Sequence, residues 1–299
     1  MSARPVFSII TPLYRAAHDI PDLFACVAAQ TERAFELILI DDASHDDTVA
    51  AARRAAATAA FPVQLLKRET NGGPAAARND GIEAACGDII AFLDADDRWS
   101  ADLLTAHGSA LSSRANVSMS ALQGDVVGPS GTVIEPVIYG WVFSHPDPAR
   151  ALLWSSYLQT SGVAVRKAVL TGRPFDESLR TGEDRDLFIQ VAMSGGLTLN
   201  PRPLFAYRRT AGSAMARASA GDYRANAAMI DRNLARFGDR LTSAEVRRAR
   251  AKAQHDLGEH LLSSGGGLPA VPPLARALLG GYEPVRTAKK IAASLIGRR

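Results

Sequence analysis

Three aspartates in four positions, Asp94, Asp96 and Asp97, directly follow a fully apolar segment. Carboxylates placed so close together repel one another, and a divalent cation offsets that repulsion. Mg²⁺ and Mn²⁺ prefer carboxylate oxygens and complete their coordination with phosphates and water. The pattern predicts either a metal site or a solvated acidic turn in which Asp97 caps the next helix.

A glycine-rich turn at 71–74 precedes an alanine-rich segment with helical character. Helix N-termini offer unpaired backbone N–H groups to anions, and glycines permit close approach of a ligand. Arg78 lies one turn further, where its guanidinium would reach a phosphate. The stretch predicts either an anion site or an ordinary turn with a surface arginine. No G-x-G-x-x-G follows the first predicted strand and no P-loop motif occurs.

A further acidic group, Glu183, Asp184 and Asp186, follows Gly182 at the start of a predicted helix. The helix dipole favours carboxylates there, which is one explanation. The other makes one carboxylate a general base, a role that burial favours by raising the pKa. The six histidines show no metal-ligand spacing. No G-x-S-x-G motif occurs, so serine-nucleophile chemistry has no support.

The first hundred residues alternate between short apolar runs and segments with helical spacing. Continuous apolar runs joined by helices indicate a parallel sheet covered on both faces, and hence an α/β fold. The predicted strands are 7–11, 36–40, 63–66 and 88–93, and the predicted helices are 22–30, 47–58 and 75–85.

The candidate residues collect at the carboxyl ends of three of these strands. Residues 11–14 end the first strand, Asp41 and Asp42 end the second, and 94–97 follow the fourth. Ligands of parallel α/β sheets bind in the crevice beyond these ends. The order of elements therefore predicts one site built from all three segments.

Beyond residue 100 the pattern is less regular. Residues 118–160 mix glycine, proline and serine with aromatic residues and predict short strands and loops. A triple glycine at 265–267, followed by several prolines, predicts a break between helices. Segment 161–171 begins strand-like, at 161–166, and leads into a helix start. Helical spacing occurs in 183–194, 222–237 and 243–264.

The chain has 299 residues, of which 47% are hydrophobic and 22% charged, which excludes a disordered protein. No apolar run reaches the roughly 18–20 residues that a membrane-spanning helix needs. Two cysteines, Cys26 and Cys86, lie in apolar helical stretches and predict neither a disulfide framework nor a zinc site. With no signal-peptide pattern at the N-terminus, we expect a cytoplasmic protein.

Positive charge concentrates near the C-terminus. Residues 241–299 contain ten Lys/Arg and four Asp/Glu, a net charge of +6, whereas the whole chain has +3. Residues 285–299 form an amphipathic pattern with Ala288, Ile291 and Leu295 on one face. Such a helix either packs on the rest of the chain with a solvated basic face or lies on an anionic membrane surface.

Taken in order, five segments resemble the family 2 inverting glycosyltransferases, which have a GT-A fold. The resemblance covers roughly residues 5–215. It implies a Rossmann-like, mostly parallel sheet flanked by helices, followed by a helical extension. The matching segments are 7–14, 40–44, 71–81, 92–97 and 182–184.

The resemblance assigns the nucleotide to the first two strand ends. Thr11, Pro12 and Tyr14 would line the pocket for the base. Asp41 would hydrogen-bond the base, with Asp42 near it.

The same resemblance assigns the reacting groups. Asp94 and Asp96 match the D-x-D pair that holds Mn²⁺ or Mg²⁺, with Asp94 also facing the ribose or donor sugar. Arg78 would approach the diphosphate or the base. Asp184 matches the catalytic base and Glu183 lies beside it. The metal would offset charge on the leaving nucleoside diphosphate while the base deprotonates the acceptor hydroxyl, and displacement in one step inverts the anomeric carbon.

The chain departs from the family pattern at two positions that bear on the site. Arg15 stands where the family often has Asn after the Tyr of the first motif. Thr210-Ala211 stands where a histidine often follows the Tyr-Arg pair. Arg208, Arg209 or Ser213 would have to replace that histidine in contacting the diphosphate or metal.

We therefore expect a metal-dependent inverting glycosyltransferase that uses a nucleotide-diphosphate sugar, with a UDP-sugar the expected donor. The acceptor would be a glycan, a lipid-linked glycan or another glycoconjugate, and nucleic acid is not an expected partner. The aromatic residues Tyr139, Trp141, Trp154 and Tyr157 are candidates for stacking on the acceptor sugar, and core packing is the alternative. The competing functions are a sugar-nucleotide pyrophosphorylase and a non-catalytic nucleotide-sugar-binding module.

The expected organisation has two parts. Residues 1–215 form the catalytic domain, with a nucleotide-binding half at 1–100 and an acceptor half at 101–215. Residues 216–299 form a helical, basic extension. Contact of this extension with the inner face of a membrane is the expected role if its basic helix is not packed on the catalytic domain.

Overall fold

The computed structural model describes residues 6–209 and 217–296. Four parallel strands form the first part of a nine-stranded sheet, in the order β3-β2-β1-β4. Every residue of β4 is buried, and β1 and β2 are buried at all but one position each, as expected for continuous apolar runs. Their bounds are β1 (Phe7–Leu13), β2 (Phe35–Asp41), β3 (Val63–Lys67) and β4 (Ile89–Phe92).

Three helices connect these strands. One of them, α3, packs closely against the sheet at Gly81. A Cβ atom on Gly81 would lie 2.6 Å from Ile10 Cγ2 and 2.8 Å from Ile40 Cδ1. Only glycine permits this contact, which fixes α3 and its N-terminal turn above β1 and β2. The helices are α1 (Ile20–Ala28), α2 (Thr48–Thr58) and α3 (Gly73–Ala84).

The sheet continues past β4 with a mixed set of strands in the order β8-β6-β9-β5, and β7 pairs with β6. The β4–β8 and β6–β8 pairs are antiparallel, whereas β6 and β9 are parallel. The bounds are β5 (Arg98–Trp99), β6 (Met119–Val127), β7 (Val133–Pro136), β8 (Val163–Arg166) and β9 (Leu197–Arg208).

The α/β architecture predicted from the sequence is confirmed, and β9 is its main unforeseen element. Prolines normally exclude a segment from the interior of a sheet. Pro201 is exposed, and the register of β9 on β6 jumps from Asn200 to Pro203 at this point. The strand therefore accommodates its prolines at an irregularity.

The remaining helices are short in the middle of the chain and long near its end. The described residues also contain 3₁₀ turns at Thr160–Gly162, Lys167–Leu170 and Gly238–Arg240. The α-helices are α4 (Leu103–Ser112), α5 (Gly140–Phe143), α6 (Pro148–Ala151), α7 (Glu183–Gly195), α8 (Ala220–Phe237), α9 (Ser243–Ser263), α10 (Gly267–Leu279) and α11 (Pro284–Ile296).

The chain forms two compact units. The first comprises residues 1–148, 157–177 and 191–211 and contains the sheet; the second comprises 149–156, 178–190 and 212–299 and is helical. The predicted break at 265–267 ends α9, but the helix resumes at Gly267, so Pro272 and Pro273 lie inside α10. Within the described residues, no helix is both long enough and apolar enough to cross a membrane.

Candidate active site

The three aspartates after β4 lie in one tight turn, in which Asp97 N–H donates to the carbonyl of Asp94 at 3.1 Å. Asp97 is only 1% exposed, and its carboxylate accepts hydrogen bonds from Ser161 Oγ at 2.6 Å and from the Arg208 N–H at 3.0 Å. Ser161 Oγ also accepts the Asp94 N–H at 3.0 Å. Asp97 therefore ties the 3₁₀ turn at Thr160–Gly162 and the end of β9 to this turn, while Asp94 and Asp96 are half-buried.

The negative charges in this turn destabilise one another. Burial, and secondly the charge of Asp94, raises the pKa of Asp96. Burial and the charges of Asp94 and Asp96 raise the pKa of Asp97 well above its usual value. A divalent cation beside Asp94 and Asp96 would relieve this repulsion, and their hard oxygens suit Mn²⁺ or Mg²⁺. The residues present therefore fit the metal that the sequence predicts.

Arg78 contacts the same turn from α3. Its side chain is buried, and Nη2 lies 2.7 Å from Asp94 Oδ1. The guanidinium also lies over the ring of Phe175, 5.5 Å from its centroid, and Phe175 packs edge-on against Phe92. These contacts hold Arg78 in place, so that it orients one oxygen of Asp94.

Asp42 occupies the N-terminal turn of α3, where the sequence predicts an anion site. Its carboxylate accepts the N–H groups of Gly72 at 2.9 Å and Gly73 at 2.8 Å. Arg68 Nε lies 3.1 Å from the same group, and Asn71 Nδ2 donates to the Asp42 carbonyl at 3.0 Å. The anion at this helix N-terminus is therefore Asp42 itself, and Asp42 fixes the glycine turn.

Thr11 and Asp41 lie near the ends of β1 and β2. Because Leu13 pairs with Asp41 and Thr11 with Leu39, both side chains project to the same side of the sheet. Asp41 Oδ2 accepts the Ser44 N–H at 3.2 Å. Asp41 Oδ1 and Thr11 Oγ1 are buried and have no hydrogen-bond partner within the described part of the chain. Such orphaned oxygens cost free energy unless a donor reaches them.

The loops after β1 and β2 contain two non-glycine residues with left-handed backbone conformation, Arg15 (φ 53°) and Ala43 (φ 57°). Ser44 Oγ accepts the Arg15 N–H at 3.0 Å, so that one loop holds the other. Pro12 is half-buried at the end of β1, and Tyr14 is 47% exposed with the Arg15 guanidinium 5.3 Å from its ring centroid. Tyr14 is thus available to cover a ligand at these strand ends.

Glu183 and Asp184 lie in the second unit, in the first turn of α7. Glu183 is buried, whereas Asp184 is half-buried and its Oδ1 accepts the N–H of Arg185 at 2.7 Å. Gly182 has a φ of 81°, and a Cβ atom there would lie 2.5 Å from Asn226 Oδ1. The Gly-Glu-Asp motif therefore needs its glycine to start α7 against α8.

Asp186 is a residue whose contribution sequence reasoning missed. It is buried, with Oδ1 accepting from Asn233 Nδ2 at 2.6 Å and Oδ2 from Gln190 Nε2 at 2.9 Å. Arg185 Nε donates to the Leu152 carbonyl at 2.9 Å. These bonds orient the first turn of α7 and thereby the side chain of Asp184. The partner Asn233 lies far along the chain and gives no local signal.

The four candidate aromatic residues separate into two groups. Trp154 and Tyr157 are 4% and 2% exposed and belong to the core. Tyr139 and Trp141 are 47% and 42% exposed. Tyr139 Oη donates to Glu135 Oε2 at 2.7 Å, and the Trp141 ring packs edge-on against that of Tyr157. Two exposed aromatic faces therefore remain for a sugar ring.

The candidates to replace the histidine that the family often has after its Tyr-Arg pair also differ in their contacts. Arg208 pairs with Asp19 at 3.5 Å, and its positive charge lowers the pKa of Asp96, against the larger upward effect of burial. Arg209 pairs with Glu135. Thr210-Ala211 and Ser213 lie outside the described residues.

The comparison with solved structures shows that the fold is of the GT-A type. The fold resembles that of TarS from S. aureus in complex with UDP, with a TM-score of 0.68, 18% identity, and coverage of 97% of this chain and 87% of that chain. It also resembles the mannosyltransferase PcManGT from Pyrobaculum calidifontis in complex with GDP-Man and Mn²⁺, with a TM-score of 0.58, 22% identity, and coverage of 99% and 86%.

The sequence comparison points to one family. Residues 8–151, just under half of the chain, match the family described as "Glycosyl transferase family 2". One relative is the amylovoran biosynthesis glycosyltransferase AmsB of Erwinia amylovora, 28% identical over 197 residues, which are 63% of this chain and 64% of the relative. The match thus spans less than two thirds of that relative's length. The predicted resemblance to this family and the predicted fold are both confirmed.

Proposed function

We propose that this chain transfers a sugar from a nucleoside diphosphate sugar to a hydroxyl group of a glycan or lipid-linked acceptor, with inversion at the anomeric carbon. The observation that carries the proposal is the turn after β4. Asp94 and Asp96 are half-buried there, and buried Asp97 and Arg78 fix their positions. The complexes of similar folds with UDP and with GDP-Man and Mn²⁺ support the same ligand class.

Asp94 and Asp96 would hold a divalent ion, Mn²⁺ or Mg²⁺, which when bound offsets charge on the leaving diphosphate. The chain's own contribution is to keep these two carboxylates oriented before the donor arrives. Arg78 restrains Asp94 through its 2.7 Å ion pair, and Ser161 restrains the backbone of the turn through the Asp94 N–H. Preorganisation of this kind lowers the barrier because the groups need no rearrangement during transfer.

The base of the donor would bind at the ends of β1 and β2. Thr11 and Asp41 have buried oxygens without protein donors among the described residues, and the N–H of a nucleobase would satisfy them. Tyr14 would cover the base from the solvent side, and Pro12 would line the pocket. Asp42 would act indirectly by fixing the glycine turn. A UDP-sugar is the proposed donor because Asp41 then accepts the imide N–H of uracil.

Asp184 would remove the proton from the acceptor hydroxyl as that oxygen attacks the anomeric carbon from the face opposite the leaving group. Glu183 and Asp186 would support it from the same helical turn. Tyr139 and Trp141 would stack on the acceptor sugar. The catalytic domain would comprise residues 1–215 and the extension 216–299, as the sequence predicts.

The test is a transfer assay on the purified chain. UDP-, GDP- and dTDP-sugars are incubated with Mn²⁺ or Mg²⁺, and nucleotide release, thermal stabilisation by the donor and the anomeric configuration of the product are measured. Asp184→Asn should lower turnover at least about a thousandfold while donor binding is retained, because only the base is removed. Asp239→Asn, at an exposed carboxylate, is the matched control.

Two results would contradict the proposal. Equal turnover of Asp184→Asn and the wild type would exclude Asp184 as the base. Donor stabilisation that is unchanged by chelation of the divalent ion would exclude the metal role of Asp94 and Asp96.

A further inference from the structure

The exposed large apolar side chains of the second unit concentrate on α10 and α11 within the described residues. Soluble proteins usually direct such side chains inward, and an exposed apolar patch marks a binding surface. One of them, Leu279, is 88% exposed. The four residues, called the apolar quartet below, are Leu268, Leu279, Val285 and Leu295.

On α10 the quartet residues lie opposite the packed face. Ala270, Leu274 and Ala277 are fully buried, at the spacing of one helical face. Leu268 and Leu279 are eleven residues apart, about three turns, and therefore share the opposite face. The outward face of α10 is thus apolar where a solvated helix would carry polar side chains.

On α11 the fully buried side chains of the described residues are polar. Thr287 and Ser294 are buried, and their hydroxyls bond the carbonyls of Tyr282 and Lys290, each at 2.8 Å. The outward-facing positions include the quartet residue Val285, which is 69% exposed. A helix that buries hydroxyls and exposes aliphatic side chains is built to present its apolar face to something outside the unit.

The two helices lie antiparallel. A Cβ atom on Gly267, at the start of α10, would lie 2.8 Å from the carbonyl of Ser294, near the end of α11. Leu268 and Leu295 therefore lie at one end of this helical hairpin, and Leu279 and Val285 at the other. The apolar quartet extends over the whole hairpin, about 20 Å for helices of this length.

The same segment is strongly basic. Residues 267–299 contain six Lys/Arg and one Glu, a net charge of +5. Arg276 also lines a cavity of about 310 Å³, and Arg247 and Arg250 of α9 line the same cavity. Asp231 pairs with Arg250 at 2.8 Å and is the one acidic residue in the lining. The cavity retains excess positive charge suited to a phosphate group.

We propose that the α10–α11 hairpin docks on an anionic phospholipid bilayer, with the apolar quartet at the boundary of headgroups and acyl chains and a lipid phosphate at Arg247, Arg250 and Arg276. Aliphatic side chains flanked by basic ones bind such surfaces, and anionic lipids attract the basic groups. A second copy of the chain fits less well, because a two-fold contact would bring two basic hairpins together. The proposal names a partner surface and does not depend on the proposed transferase activity.

Sedimentation of the full chain with vesicles tests the proposal. Vesicles of phosphatidylcholine alone are compared with vesicles that contain about 30% phosphatidylglycerol. This anionic content is sufficient to attract basic segments. The wild type should bind the anionic vesicles at least about tenfold more tightly, and added salt should weaken that binding.

Two double variants separate the contributions. Leu268→Ser/Leu279→Ser should lower vesicle binding about tenfold or more, because the apolar contact is lost. Arg247→Gln/Arg276→Gln should weaken binding to anionic vesicles only. Val133→Ser/Ile134→Ser replaces two exposed apolar residues on β7 and should bind like the wild type. Thermal unfolding of each variant verifies that it is folded.

Three outcomes would overturn the proposal. The first is a wild type that does not sediment with anionic vesicles. The second is a folded leucine variant that binds them as the wild type does. The third is a dimer in solution that the leucine variant converts to a monomer with vesicle binding unchanged, which would make the face an interface between copies. Transferase activity is measured separately, so that failure here leaves that proposal standing.

Discussion

Asn substitution at Asp41 and at Asp42 distinguishes a ligand-binding carboxylate from a structural one. In Asp42→Asn, the amide oxygen retains one of the glycine N–H bonds, and the amide nitrogen faces the other donors. A buried donor without a partner costs about 1–3 kcal/mol. Loss of the negative charge at the α3 N-terminus, and beside the partly exposed Arg68, adds about 1 kcal/mol.

The expected loss for Asp42→Asn is therefore about 2–4 kcal/mol of unfolding free energy, a large part of the roughly 5–15 kcal/mol typical of a domain. Asp41→Asn should change stability by less than about 1 kcal/mol, because Asp41 accepts a single described hydrogen bond, from Ser44, that an amide oxygen also accepts. Its effect should appear in donor binding, weakened about 10–100-fold through loss of a charged hydrogen bond.

Urea unfolding of both variants, together with the donor dissociation constant, measures these differences. The reasoning is refuted if Asp42→Asn unfolds within about 0.5 kcal/mol of the wild type. It is equally refuted if Asp41→Asn binds the donor normally. A double-mutant cycle with Arg68→Gln separates the ion pair from the two backbone hydrogen bonds.

Two stability predictions concern other residues. Arg15→Asn should raise the unfolding free energy by about 0.5–1 kcal/mol, since asparagine tolerates the left-handed conformation at φ 53° better than arginine; a destabilised variant in urea unfolding would contradict the strain. Burial lowers the pKa of His107 to about 3 from 6.5. The unfolded chain therefore binds a proton at His107 that the folded chain does not bind, so stability falls as pH falls below 6.5. His107→Asn, which retains a group to bond Ser120, should remove about 2 kcal/mol of the stability loss between pH 7 and pH 5. Equal pH profiles of variant and wild type would be inconsistent with this account.

The predictable part of the fold is the part in which local pattern and final environment agree. Strands β1, β2 and β4 are buried apolar runs, so their pattern identifies them in the sequence. β9 was not predictable in the same way, because Pro201 and Pro203 favour a loop. Its pairing with β6 depends on residues some eighty positions away, and the register irregularity at Pro203 exists only when the sheet is assembled.

The candidate site, like the fold, is predictable from the sequence only in part. The sequence places Asp94 and Asp96 correctly after a buried strand. It does not show that Ser161 holds their turn, since Ser161 is 64 residues from Asp97 and belongs to no motif. The pairing of Arg78 with Asp94 was likewise hidden, because an arginine in an alanine-rich helix has the same local pattern whether it faces solvent or a carboxylate.

Neighbouring acidic residues in this chain have different tasks, although the sequence presents them as equivalent. In each of the three acidic groups, one carboxylate accepts hydrogen bonds from donors elsewhere in the chain. Those hydrogen bonds fix the turn or helix that carries the neighbouring carboxylate. A ligand-binding carboxylate needs such an anchor, because a turn that carries repelling charges would otherwise open. Charge-conserving substitution of an anchor should therefore impair the site as much as loss of the ligand-binding residue. The anchors are Asp42, Asp97 and Asp186, and their proposed functional neighbours are Asp41, Asp96 and Asp184.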